Sequence, residues 1–277
     1  MGDPARFVIK EGQITTNVGV TLPRPASDRL FLVNASNVPE FRPVYDALTN
    51  MAFYSLAPDV MRWPQPSDSG ELLGQNGQNL ASVLAALERR NSPRFDRIQR
   101  YLSKVTPGVE GVERIAIGNL ETLQFRQKVA GQKSAWRFPA INMSDGTLRA
   151  LAVLTALLQG DGDVPSLIGI EEPEIALHPA AAGILWDAMD DAQETAQVLV
   201  TTHSSDLLDR SDIPTPSLLA TTIEAGNTKI GPIFESSRKL LQEHLCTPGE
   251  LLRQRRLSPA PLVVPPPPGY PVSLLDL

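Results

Sequence analysis

Between Ser166 and Asp206 two short apolar runs, Leu167–Ile170 and Val198–Val200, are each cut off abruptly by polar residues and separated by one helix-length segment. Runs of that length bounded by breakers have the pattern of buried parallel strands. The segment between them, Ala180–Asp191, puts Ile184, Leu185, Ala188 and Met189 at helical spacing. Strand, helix and strand make a βαβ unit with a right-handed crossover, so both strands end on the same edge of one sheet. In open α/β sheets that carboxyl edge is where ligands bind. The first run ends in Glu171-Glu172-Pro173 and the second in Thr201-Thr202-His203-Ser204. Two carboxylates and an imidazole are therefore expected side by side, despite their separation in the chain.

That grouping has a chemical meaning. One carboxylate at a strand end can hold Mg²⁺, directly or through water, and a second can orient and deprotonate an attacking water. A histidine from the neighbouring strand can reach a terminal phosphate. Phosphoryl transfer asks little more of a protein than positioning and charge stabilisation. The competing reading makes Glu171 and Glu172 solvated acids at a helix start before Pro173, favoured by the helix dipole. An apolar strand, two acids and a strand-end histidine together favour a functional site, because perturbed acids cluster in such places. Upstream, Ser144 or Asp145 is placed to cap a helix running through Leu148, Leu151, Ala152, Leu154, Leu157 and Leu158. Apolar on most sides, that helix should be buried. Its amino end, with a hydroxyl and the flexible Gly146, is a ready anion site.

The residues Ile170-Glu171-Glu172-Pro173-Glu174 and Leu177-His178-Pro179 resemble the Walker B motif and D-loop of ABC-type ATPases, most closely the RecF/SMC-like AAA ATPases of DNA repair and phage defence. Thr201-Thr202-His203-Ser204 resembles their H-loop, and Met143-Ser144-Asp145-Gly146-Thr147-Leu148-Arg149 their signature motif. The resemblance is best over Asn142–Asp209 and weaker from about Phe31 through Leu252. It implies an α/β, P-loop NTPase-like fold of the ABC/RecF type, with a mostly parallel sheet and an inserted helical subdomain. It implies ATP and Mg²⁺ as cofactors, with Glu171 on the metal, Glu172 as general base and His203 at the γ-phosphate. Ser144, Asp145, Gly146 and the D-loop residue His178 would face nucleotide at a dimer seam. The partner would be a second copy or a complementing ATPase chain, with DNA a further candidate and no membrane. The implied organisation is 1–78 as N-terminal strands and loops of a truncated core, 79–110 as the helical insertion, 111–258 as the core carrying the motifs, and 259–277 as a proline-rich tail.

One family element is not in the sequence. No GxxxxGK[ST] occurs in the 277 residues. Gly74-Gln75-Asn76-Gly77-Gln78-Asn79 is glycine-bearing but lacks the Lys that meets the β/γ-phosphates and the hydroxyl that meets Mg²⁺; Asn79 is expected to cap a helix, Leu80–Arg90, instead. The chain is thus expected to lack the Walker A strand, loop and helix, to bind ATP poorly by itself, and to expose apolar strand surface and sheet edges. A truncated ATPase is the favoured explanation; a non-catalytic regulatory or interaction module of the same fold is the alternative.

Elsewhere the patterns are local. Phe7–Ile9 and Ile14–Val20 alternate and read as short strands or loops. Pro39–Asn50 reads as an amphipathic helix whose Phe41, Val44, Tyr45 and Leu48 pack in the core, and Pro58–Gly77 as loop. Helices Leu80–Arg90 and Pro93–Lys104 carry six basic residues, read first as a solvated face and second as a nucleic-acid or partner contact. Val112–Ile117, Thr122–Val129 and Trp136–Phe138 read as antiparallel strands, and Ser217–Glu224 with Lys229–Phe234 as a hairpin on the sheet, turning at Gly226-Asn227. Ser236–Leu245 and Gly249–Arg256 read as helices. A net charge of −6 argues against DNA binding by the whole surface. The single cysteine, Cys246, excludes an internal disulfide and suits a reducing cytosol. No run reaches the ~18 to 20 apolar residues that span a bilayer.

Overall fold

The computed structural model describes residues 5–260 apart from 27, 29, 91 and 161–163. The chain divides into two compact units, Met1–Thr201 and Thr202–Leu277. The expected proline-rich tail, 259–277, lies outside the described residues from 261 onward.

The first unit opens with a hairpin, β1 (Phe7–Lys10) and β2 (Gln13–Thr16), followed by α1 (Leu32–Ala35) and α2 (Arg42–Thr49). Phe31, Ala35, Val38 and Phe41 form a small core, against which Phe7 and Ile14 pack. The ring of Phe7 meets those of Phe31 and Phe41 edge-on, at centroid separations of 5.2 and 5.1 Å. Helix α2 departs from expectation. It has no buried residue, and Val44 and Leu48 are 52% and 48% exposed. Its apolar stripe is real but unpartnered among the described residues, so helical spacing alone misjudged where it packs.

Next come β3 (Met51–Tyr54), α3 (Pro58–Arg62), β4 (Gln65–Pro66) and α4 (Leu80–Arg89). Two corrections fall here. Met51–Tyr54 is a strand that the sequence reading did not assign, and part of the expected loop, Pro58–Gly77, is helical. Pro58 in the first turn, with Asp59 beside it, starts α3. Asn79 does occupy the cap position of α4, but its side chain makes no cap bond. Its Oδ1 accepts from the Gly74 N–H at 2.7 Å and its Nδ2 donates to the Leu72 carbonyl at 2.9 Å, fastening the preceding loop instead.

Helix α5 (Pro93–Val105) is capped by Ser92. An antiparallel sheet follows from β5 (Val109–Ile117), β6 (Leu120–Gln127) and β7 (Trp136–Pro139), with β4 on the far side of β6. The basic face of α5 is not simply solvated: Arg94 donates to the Leu158 and Gln159 carbonyls and Arg97 pairs with Asp191, so two of its charges are anchored inside the unit.

The remaining elements are α6 (Asp145–Leu158), β8 (Leu167–Glu171), α7 (Ala182–Gln193) and β9 (Gln197–Thr201). Buried on every side from Ala150 to Leu158, α6 is the centre of the core. Strands β3, β8 and β9 form a parallel sheet in that order, with Ala52, Ile168 and Val198 in register and Tyr54, Ile170 and Val200 two residues on. The βαβ unit is present as expected. The expectation that both strands are buried holds for β8 alone, because β9 is an edge strand whose Leu199 is 45% exposed.

The second unit holds a hairpin of β10 (Leu219–Glu224) and β11 (Asn227–Pro232), then α8 (Glu235–Gln242) and α9 (Pro248–Arg253). This hairpin forms its own two-stranded sheet rather than extending the parallel one, and it turns at Ala225-Gly226, both at positive φ, one residue before the expected turn. Ala220, Ile233, Leu241 and Leu251 make its core. Thr247 caps α9 in a capping box with Glu250 and also donates to Asp209, which Arg253 pairs at 2.9 Å. These partners hold the Asp209 carboxyl below its ordinary range, the Thr247 hydrogen bond first.

Candidate functional site

The parallel ladder ends at the pair Glu171 and Thr201. In-register residues of parallel strands face the same side, so a carboxylate and a hydroxyl are presented together, both exposed. One residue on, the Glu172 N–H still donates to the Thr201 carbonyl at 2.9 Å, but the backbone of Glu172 has turned left-handed, with φ of +42°. A non-glycine side chain rests there only when its surroundings enforce it. The turn supplies that enforcement. Ile175 N–H donates to the Glu172 carbonyl at 3.2 Å and Leu177 N–H to the Glu174 carbonyl at 3.0 Å, while Ala176 is also left-handed at +64°. From α6, Arg149 Nη2 donates to the carbonyls of both Glu171 and Glu172 at 3.2 Å.

The signature-like turn lies against this acid turn. Ser144 is the cap of α6, and its hydroxyl accepts from the Thr147 N–H at 3.2 Å. Asp145, the first helical residue, is exposed and ion-paired with Arg62 of α3. Arg62 Nη1 also donates to the carbonyls of Met143 at 2.6 Å and Ile141 at 3.2 Å. Gly146 has no room for a side chain, since a Cβ there would sit 2.3 Å from the Ala176 carbonyl oxygen. Glycine is thus required by a close approach between two turns of one chain.

His178 is exposed and starts a 3₁₀ turn, Pro179–Ala181, where its Nδ1 accepts from the Ala180 N–H at 3.1 Å. His203 is exposed and belongs to the second unit, two residues past the end of β9. Beside it the Ser204 N–H donates to Thr202 Oγ1 at 2.9 Å.

The donors at the end of β8 are oxygens, as Mg²⁺ prefers. Among the described residues no group of three or more His, Cys, Asp or Glu is gathered for a metal. Mg²⁺ is ordinarily held by one or two carboxylates with substrate phosphates and water completing the shell, so Glu171 with the Thr201 hydroxyl fits such an ion. Sequence reasoning assigned no role to Arg62 or Arg149. For Arg149 a signal was there: it falls four residues after Asp145, on the same helix face one turn further. For Arg62 there was none, because its helix was read as loop.

A family model described as "AAA domain, putative AbiEii toxin, Type IV TA system" matches residues 47–209. No curated protein matches the sequence. Three SMC structures are similar in shape. An SMC ATPase described for ATP-driven dimerization and DNA-stimulated activation is 16% identical, over 58% of this chain and 97% of that one, with a TM-score of 0.40. The Pyrococcus furiosus SMC head with an extended coiled coil, bound to the C-terminal domain of ScpA, is 16% identical over 58% and 40%, at 0.41. The SMC head bound to the C-winged helix domain of ScpA is 12% identical over 69% and 57%, at 0.46. The chain thus spans about half of the latter two or less. Likenesses this loose carry no residue assignment from those proteins to this one.

Proposed function

The chain belongs to the AAA-domain family matched at residues 47–209, as an ABC-type, RecF/SMC-like ATP-binding domain with a P-loop NTPase-like α/β fold, and on that premise we propose that it hydrolyses ATP as half of a composite site. The observation that carries the proposal is the end of the β8–β9 ladder: an exposed Glu171 beside Thr201, then Glu172 in an enforced left-handed turn. Glu171 and the Thr201 hydroxyl hold Mg²⁺, which supplies charge neutralisation of the phosphates when bound. Glu172 orients a water and takes its proton as that water attacks the γ-phosphorus, while the bond to the β–γ bridging oxygen breaks and ADP leaves with that electron pair. His203 donates to the γ-phosphate. Ser144, Asp145 and Gly146, at the amino end of α6, and His178 meet the nucleotide of the opposite protomer in a dimer. The Walker A strand, loop and helix come from another segment or a complementing chain, because no GxxxxGK[ST] is present in this sequence. The biological setting we propose is DNA repair or phage defence; the description of the family, with its toxin–antitoxin reference, supports the second.

Titration calorimetry with Mg-ATP tests the composite site. The chain alone should bind at least ten-fold more weakly than the same chain joined to a Walker A segment, supplied from the upstream reading frame or by co-expression. Equal affinity in both would refute the composite site. Absence of binding in both would favour a non-catalytic interaction module.

A further inference from the structure

We propose that Arg149 is a positioning residue: it holds the acid turn in its left-handed geometry and ties that geometry to the helix that starts at the signature-like turn. The inference rests on the ATPase reading above for its consequence, but not for its geometry. The guanidinium bridges carbonyls from two strand ends. Its Nη1 donates to Leu56 at 3.0 Å and its Nη2 to Glu171 and Glu172 at 3.2 Å. Strands β3 and β8 pair no further than Tyr54 and Ile170, so the arginine fork replaces the ladder where the ladder stops. Without the arginine, Leu56, Glu171 and Glu172 would each lose a donor to their carbonyls, and the Glu172 carbonyl would be left with the Ile175 N–H to hold its backbone out of the ordinary regions.

The hold runs both ways. Arg149 reaches from α6 to Leu56, just before α3, and to the acid turn. Arg62 reaches from α3 back to Met143, Ile141 and Asp145, at the start of α6. Two arginines on two helices thus lock the anion-facing turn and the acid turn to one another, and Gly146 against the Ala176 carbonyl closes the contact. A displacement of the amino end of α6 is carried along a rigid buried helix, one turn in, to the carbonyls beside Glu172. Lysine cannot do the same, because a single ammonium on a flexible stem does not span three carbonyls with a planar fork.

The test uses Arg149→Lys, which keeps the charge and the helix propensity, with Arg149→Ala as the harsher variant. Hydrogen exchange is read at the amides of Glu172 and Ile175 in the full 277-residue chain. ATP turnover is read in the same chain joined to a Walker A segment. The clamp predicts at least ten-fold faster exchange at both amides in Arg149→Lys, with far-UV circular dichroism unchanged. It also predicts a fall in kcat of at least ten-fold with KM for ATP within two-fold. Exchange at the wild-type rate would overturn the clamp whether or not ATP is hydrolysed. Faster exchange with undiminished kcat would overturn the positioning role. Faster exchange in a protein whose wild type turns over no ATP would uphold the clamp and sink the ATPase reading, so the two failures are distinct.

Discussion

The two faces of the parallel sheet are built from the same three strands and behave differently. On one face Ala52, Tyr54, Ile168, Ile170, Val198 and Val200 meet helices α6 and α7, and Tyr54, Ile168 and Ile170 are 3% exposed or less. On the other, Phe53 is 54% exposed and Leu199 45%, in company with the polar Gln197, Glu171 and Thr201. Only Gly169 is covered on that side, by the ring of Phe53, which lies where a Cβ would be 2.4 Å away. Parallel sheets ordinarily carry cover on both faces, and here Phe53 and Leu199 are left open among the described residues. The covered face is expected to carry more of the stability than the open one.

The comparison can be broken by substitution. Ile168→Ala on the covered face should cost about 2–5 kcal/mol of unfolding free energy, the range for large-to-small changes in a closed core, measured by urea titration. A loss below 1 kcal/mol would mean that face is loosely covered too. Gly169→Ala, on the open face beneath the Phe53 ring, should cost about 1–3 kcal/mol because that ring must move. Adding Phe53→Ala should recover part of that loss, and a strictly additive double mutant would contradict the ring contact.

Behind the covered face, α5 is tied to α7 by the Tyr101 hydroxyl, 2.7 Å from Asp191. Burial first, then the hydrogen bond and charge of Asp191, push the Tyr101 pKa up to about 12. A raised pKa contributes stability that is full below the unfolded value near 10 and is lost as pH rises through 12. Stability should therefore fall between pH 10 and 12, and Tyr101→Phe should flatten part of that fall while costing roughly 1 kcal/mol at neutral pH. An identical pH profile in the variant would contradict the assignment. The smallest effect is on the open face. Leu199→Thr should change stability by less than about 0.5 kcal/mol and reduce self-association in sedimentation velocity. A loss comparable to that of Ile168→Ala would show that Leu199 is buried in solution and end the contrast.

The βαβ unit is legible in the sequence because its apolar runs are short, bounded and separated by a helix, and those features are local. The caps Ser144 and Ser92 are legible for the same reason. What is not legible depends on tertiary contact. Met51–Tyr54 becomes a strand because β8 pairs with it, and Leu199 is exposed because β9 has no outer neighbour among the described residues. The stripe of α2 has the spacing of a core helix without a core to enter. At the candidate site the acids and the signature-like turn announce themselves by residue type. Arg62 and Arg149 do not, because their role is to donate to backbone carbonyls of segments remote in sequence, and a carbonyl leaves no mark on composition. The tightness at Gly146 is likewise a fact about Ala176.

Single-turnover hydrolysis by Glu172→Gln, in the chain joined to a Walker A segment, tests the central claim most directly. The amide keeps the shape of the carboxylate and cannot take a proton. The account predicts that turnover falls by roughly 100-fold or more, in the range that general-base catalysis contributes, while Mg-ATP affinity is kept. Turnover at the wild-type rate would contradict it.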